Sequence, residues 1–148
     1  MTNVATLHGG ELVDAPPLIP PGKYQATYQH HETALFSKSP RVYVHFRIVT
    51  GEHEGARLYR AYRVERLNGR ARKNGTFKVR HTSELFRQFV RVTGGSERPD
   101  RIALSRLRSC ALLVSVRTVK TDYRQRPLPE ALRYSVVDEM LSVEAGTP

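Results

Sequence analysis

Residues 41–50 read RVYVHFRIVT. Val42, Val44, Phe46 and Ile48 alternate with Arg41, Tyr43, His45, Arg47 and Val49. Alternation sustained over this length marks a strand with two unlike faces. The first set must face a core. The second set is basic and aromatic, and is expected to face outward. The stretch that follows, GEHEG at residues 51–55, is a turn bounded by glycines and suggests a hairpin. A return strand is expected over residues 56–65. There Leu58, Tyr62 and Val64 share a face that Arg60 interrupts, while Arg57, Tyr59, Ala61 and Arg63 point the other way.

On the N-terminal side, residues 23–33 read as another strand, with Tyr24, Ala26 and Tyr28 alternating with polar neighbours. Residues 34–40 are expected to form a loop. Residues 1–22 hold Gly9, Gly10 and the prolines 16, 17, 20 and 21, which break regular structure. They are expected to form a flexible Pro-rich arm, although the same residues could pack across the domain. On the C-terminal side, residues 66–76 (RLNGRARKNGT) carry two Asn-Gly turn signals, four cations and no acidic residue. A mobile basic loop is expected there. Residues 82–93 read as a helix capped by Thr82 or Ser83, with Glu84 in its first turn. Its apolar stripe is Leu85, Phe86, Phe89, Val90 and Val92, and Gly94 and Gly95 end it. Residues 104–119 begin as a turn or short helical piece and become a fourth strand over 111–116. Residues 121–130 form a long polar loop, and residues 133–143 form a fifth strand.

The expected order is therefore β-β-β-α-β-β in a mostly β chain. A five-stranded OB-fold barrel has this order, with its helix between strands three and four. An SH3-like barrel is the competing architecture and normally lacks the helix. The expected domain spans residues 23–143, with a short tail over 144–148.

Composition narrows the function. The 148 residues suit one domain, and the formal net charge is +10 with a pI near 10.3. Most of the excess is arginine, whose planar fork pairs with phosphate and stacks on bases. The charge is also clustered. Between residues 57 and 80 there are nine Lys or Arg and a single acidic residue, Glu65. A polyanionic partner is the simplest physical reading. With one cysteine no intrachain disulfide can form, and Cys110 sits in the apolar run CALLV as a small hydrophobe. The first 14 residues do not resemble a signal peptide, and no apolar run approaches the length of a membrane span. A soluble, cytoplasmic protein without a membrane association is expected.

No metal-ligand spacing is apparent. The adjacent His30 and His31 point to opposite faces of a strand and cannot chelate one ion together. No P-loop or nucleophile-elbow motif occurs, and the acidic residues are too dispersed for a nuclease metal cluster. Neither an enzyme nor a cofactor is expected.

Single-stranded nucleic acid asks for cations along the phosphates and aromatic faces under the bases. The expected second strand offers Tyr43, His45 and Arg47, and the third offers Arg57, Tyr59 and Arg63. The adjoining loop offers Arg66, Arg70, Arg72 and Lys73, and the last loop offers Lys120, Tyr123, Arg124 and Arg126. Tyr43 and Tyr59 are the first candidates for base stacking and Tyr123 the next. Alternatively, these tyrosines could pack under the loops or against the arm.

The runs PGKY at 21–24, VHFRI at 44–48, GEHEG at 51–55 and IALSRL at 102–107 resemble small phage and mobile-element single-stranded-DNA-binding proteins. The resemblance covers about residues 21–143. It implies an OB barrel that coats single strands in replication or recombination, alongside proteins of those pathways. Housekeeping single-strand binders end in an acidic tail that recruits partners. This sequence ends LSVEAGTP with one acidic residue, so recruitment of that kind is not expected. RNA as the ligand, a protein–protein module such as a phage-encoded inhibitor or assembly factor, and self-association through an exposed barrel edge all stay open at this point.

Overall fold

The computed structural model describes residues 16–95, 98, 99 and 102–146, together with the backbone of residues 5–8 and 11–14. β1 (Ala5–His8) and β2 (Glu11–Asp14) form an antiparallel ribbon. β3 (Gly22–Phe36), β4 (Ser39–Ile48) and β5 (Arg57–Arg63) follow. A second ribbon pairs β6 (Arg66–Asn68) with β7 (Thr76–Lys78). After α1 (Glu84–Thr93) and a 3₁₀ turn (Leu104–Ser109) come β8 (Cys110–Val119) and β9 (Tyr134–Gly146). The main sheet is five-stranded and antiparallel, in the order β5-β4-β3-β8-β9. The chain is thus mostly β, as the alternating patterns suggest. No described ladder joins β5 to β9. Those two end strands are tied by a side chain instead, Arg60 Nε donating to the Asp138 carbonyl at 2.9 Å.

The alternation in β4 places its residues as its sequence requires. Val42, Val44, Phe46 and Ile48 are all fully buried, packing with Leu58 and Tyr62 of β5, Leu112 and Val114 of β8, and Leu85 and Phe89 of α1. Ser83 caps α1, its Oγ accepting from the Phe86 N–H at 3.1 Å, and Gly94 closes it in the left-handed region at φ 92°. The helix also buries Gln88, which the apolar stripe does not include. Its Oε1 accepts from the Tyr62 hydroxyl and from the Met140 N–H, joining α1 to β5 and β9.

Four expectations are corrected. Residues 34–40 are not an open loop. β3 runs to Phe36, β4 starts at Ser39, and only Ser37 and Lys38 turn between them, at φ 49° and 67°. Positive φ at both central residues is the hairpin turn whose twist matches its strands. Ser and Lys are not its usual residues, so strand pairing rather than local preference imposes it. The basic segment over 66–76 is not a mobile loop. Its ends pair as β6 and β7, and its middle is bonded to β3. The Thr33 N–H donates to the Arg72 carbonyl at 2.9 Å, and the Asn74 N–H donates to the His31 carbonyl at 2.7 Å. A Cβ at Gly75 would meet Thr33 Oγ1 at 2.5 Å, so glycine is needed for this approach.

The last part of the expected flexible arm is seated on the domain. Ile19 is buried. Its N–H donates to Ser135 Oγ at 2.8 Å, and the Ser135 hydroxyl donates to the Ile19 carbonyl at 3.0 Å. Ser135 itself is buried, and these bonds satisfy a hydroxyl that would otherwise cost free energy to desolvate. β9 also extends to Gly146, three residues beyond the expected domain end at 143.

Candidate nucleic-acid interface

The register between β4 and β5 defines one face of the sheet. Arg41 faces Arg63, Tyr43 faces Ala61, His45 faces Tyr59, and Arg47 faces Arg57. Directly opposed residues share a face, so this face carries cations at both ends and aromatic rings between them. Arg47, Arg57 and Arg63 are exposed. The outward set of the β4 and β5 sequences is thereby gathered on one surface.

The tyrosines of that face are not free platforms. Tyr43 and Tyr59 are only 8% and 9% exposed and form a second apolar cluster with Ala34 and Val136. Their rings meet edge to face at 5.6 Å, and Tyr59 also lies 6.3 Å from Tyr134. Burial raises the hydroxyl pKa of both, and for Tyr59 the Tyr134 hydroxyl adds to the rise. Of the two placements open from sequence, the structure has these rings packed rather than open to bases. Val136 and Tyr134 come from β9, more than seventy residues along the chain, and no local pattern in β4 or β5 signals their cover.

A different aromatic pair is exposed. Phe36 ends β3 and is 38% exposed, and Tyr123, in the loop between β8 and β9, is 71% exposed. Their rings meet edge to face at 6.1 Å and 77°. The Arg41 guanidinium lies 4.9 Å from the Phe36 centroid and that of Arg124 lies 5.3 Å from the Tyr123 centroid. Leu35, which precedes Phe36 and points to the other face of β3, is 58% exposed. Lys120, Arg124 and Arg126 are exposed on the same loop. Asp122 shapes that loop, its Oδ1 accepting from the N–H groups of Arg124 (2.8 Å) and Arg126 (2.9 Å), with the Arg126 side chain 3.4 Å from Oδ2. The Arg126 and Arg124 amides hold its carboxyl below the ordinary carboxylate range. Tyr123, a candidate from sequence, is therefore an exposed ring with cations on its own loop. Phe36 beside it and Arg41 beside Phe36 are not among the sequence candidates; the signal for Phe36 is an aromatic residue beside a turn rich in Ser and Lys.

A second site lies along the same sheet face. A cavity of about 570 Å³ is lined by His30 and Glu32 of β3, His45 of β4, Arg57 and Tyr59 of β5, and Lys73. Pro16 and Pro17 form part of its wall. His30 and His45 stack at 4.4 Å and 12°. Burial, and then the charge of Lys73, lower the His30 pKa and favour the neutral ring. Four sequence candidates therefore converge here: His45, Arg57, Tyr59 and Lys73. Arg66 and Arg70 are exposed on the basic segment. Arg72 is partly committed within it, its guanidinium donating to the carbonyls of Asn68 (3.2 Å) and Arg70 (3.0 Å).

Among the described residues no helix is long and apolar enough to cross a membrane. No protein-family model, curated protein or solved structure matches this chain.

Proposed function

We propose that this protein binds single-stranded nucleic acid, DNA in the first instance, with little sequence preference. The observation that carries the proposal is the exposed Phe36–Tyr123 pair flanked by the guanidiniums of Arg41 and Arg124. Unpaired bases offer π-faces to such rings, and adjacent cations neutralise phosphate. The strand connectivity supports the same reading. An order of β5-β4-β3-β8-β9 is that of an OB barrel opened between its third and fifth strands, and OB barrels are often only partly closed. In that architecture the β3–β4 turn and the β8–β9 loop are the two loops that flank bound oligonucleotides. Phe36 and Tyr123 sit at those two loops. The cations along the β4–β5 face then give the strand a path past the hairpin tip. Such a protein would coat single strands in replication or recombination.

Binding of labelled poly-dT, read by fluorescence anisotropy at low and moderate salt, tests the proposal. Each phosphate neutralised on a single strand contributes about −0.7 to the slope of log K against log salt. Four to six engaged cations give a slope of roughly −3 to −4. Competition by duplex DNA and heparin should be poor if the rings contribute, and RNA competition separates the two single-stranded ligands. Binding that heparin abolishes, with no preference for single strands, would reduce the surface to a basic patch. The exposed Leu35, on the opposite face of β3 from Phe36, favours one second reading, a hydrophobic anchor for a protein partner. Absence of any nucleic-acid binding would move the weight there.

A further inference from the structure

His30 and Glu32 stand two residues apart on β3, so their side chains share a face. His45 lies directly across the ladder from His30. A bulge produces this arrangement. Tyr28 pairs with Phe46 and His30 with His45, leaving Gln29 as the extra residue. One extra residue reverses the alternation. Without it His30 would oppose Val44 on the core side. With it His31 takes that place, bonding the Tyr28 hydroxyl at 2.8 Å and the Gly75 carbonyl at 2.8 Å. His30 and Glu32 are turned outward beside His45.

Nε2 of His45 lies 2.7 Å from Glu32 Oε1, and Nε2 of His30 lies 3.8 Å from the same oxygen. All three donor atoms lie within 4.8 Å of one another. Ligands at about 2.0–2.2 Å from one zinc ion are about 3–3.5 Å apart, so small side-chain adjustments bring these three into a single shell. We propose that His30, Glu32 and His45 form a binding site for one divalent ion of the zinc class, with its remaining coordination positions open to the adjoining cavity. Two imidazoles and one carboxylate suit zinc and its neighbours better than magnesium or calcium, which prefer oxygen alone. The rings are stacked, so their in-plane lone pairs run side by side. Ligation turns a ring about its Cβ–Cγ bond, a broad and soft torsion. Arg57 and Lys73 line the same cavity and oppose a bare cation there. An anion in an open position offsets them. The ion site is independent of the nucleic-acid reading.

The test is a zinc titration of the full chain, stripped of metal and competed with a chromophoric chelator. Cobalt is substituted to read visible d–d bands. One equivalent of zinc should bind, and cobalt should give the intense bands of a low-symmetry, four- or five-coordinate site with nitrogen ligands. His30→Ala and His45→Ala should each weaken binding by at least about tenfold, the scale seen when even a ligand's supporting partner is lost. His53→Ala and His81→Ala, which remove histidines elsewhere, should change nothing. His45 packs near Tyr59 (6.1 Å between centroids). Glu32→Gln is therefore included as the variant that keeps side-chain shape, and it too should weaken binding. Failure to saturate at one equivalent, or affinity unchanged in the His30→Ala/His45→Ala double variant, would overturn the site.

Discussion

The ring of Phe36 meets the ring of Tyr123 at 6.1 Å across 87 positions of sequence, joining the β3–β4 turn to the β8–β9 loop. Both rings remain open to solvent, and each has a guanidinium beside it. This contact is the basis of the first expectation. Phe36→Ala and Tyr123→Ala should each weaken poly-dT binding by about 1–3 kcal/mol, or roughly 5- to 150-fold. Exposed side chains contribute little to folding, so the urea midpoint should shift only slightly. Unchanged affinity in both variants would remove the stacking pair from the interface.

Tyr43 and Tyr59 should behave in the opposite way. Tyr59→Ala opens a space in the second apolar cluster and should cost about 3 kcal/mol of unfolding free energy, on the scale of buried aromatic truncations. Tyr43→Leu keeps apolar bulk and removes the aromatic face. Its poly-dT affinity should stay within about twofold of the parent, since stacking alone would be worth more than that. A larger loss in folded Tyr43→Leu would return this residue to the list of base contacts.

Arg41 and Arg124 should report on the phosphates. If each neutralises one, Arg41→Gln and Arg124→Gln should each make the log K against log salt slope shallower by about 0.7. Anisotropy at four or more salt concentrations reads this. A weaker affinity with an unchanged slope would mean that the guanidiniums act on the rings and not on the strand.

Gln88 should prove costly to lose. Gln88→Leu fits an apolar environment yet leaves the Tyr62 hydroxyl and the Met140 N–H without their acceptor. Each buried group left unmet costs about 1–3 kcal/mol. Adding Tyr62→Phe removes one of the two orphans and should recover part of the loss. Equal urea midpoints for Gln88→Leu and the parent would show that water or a rearranged donor takes its place.

Alkaline stability should depend on Tyr28. Burial pushes its hydroxyl pKa up to about 12 from 10.0, and it bonds His31 Nδ1. A raised pKa means that the folded state holds the proton more tightly. The associated stability is complete below about pH 10 and is lost as pH rises toward about 12. Tyr43, Tyr59 and Tyr62 are shifted the same way and share the loss. Tyr28→Phe should therefore flatten, without abolishing, the fall in urea midpoint across that window. An identical fall in the variant would assign the whole effect to the other tyrosines.

Local pattern made much of this molecule legible. Two alternating strands of ten and seven residues declare their core and outer faces, because side-chain direction in a strand depends only on parity. The helix is marked by Ser83, Gly94 and its apolar stripe, each acting within one or two turns. The basic block of residues 57–80 is visible because charge requires no partner to be counted.

What tertiary structure alone decided depends on parity changes and on distant chain. The bulge at Gln29 is a single extra residue with no compositional mark, and it determines that His30 and Glu32 meet His45. The burial of Tyr43 and Tyr59 depends on β9, and the Phe36–Tyr123 contact depends on where two loops end after the sheet has paired. Strand faces follow from dihedral geometry that each residue carries with it. Cover and convergence follow from ladder register, which is set by pairing between segments far apart in the chain.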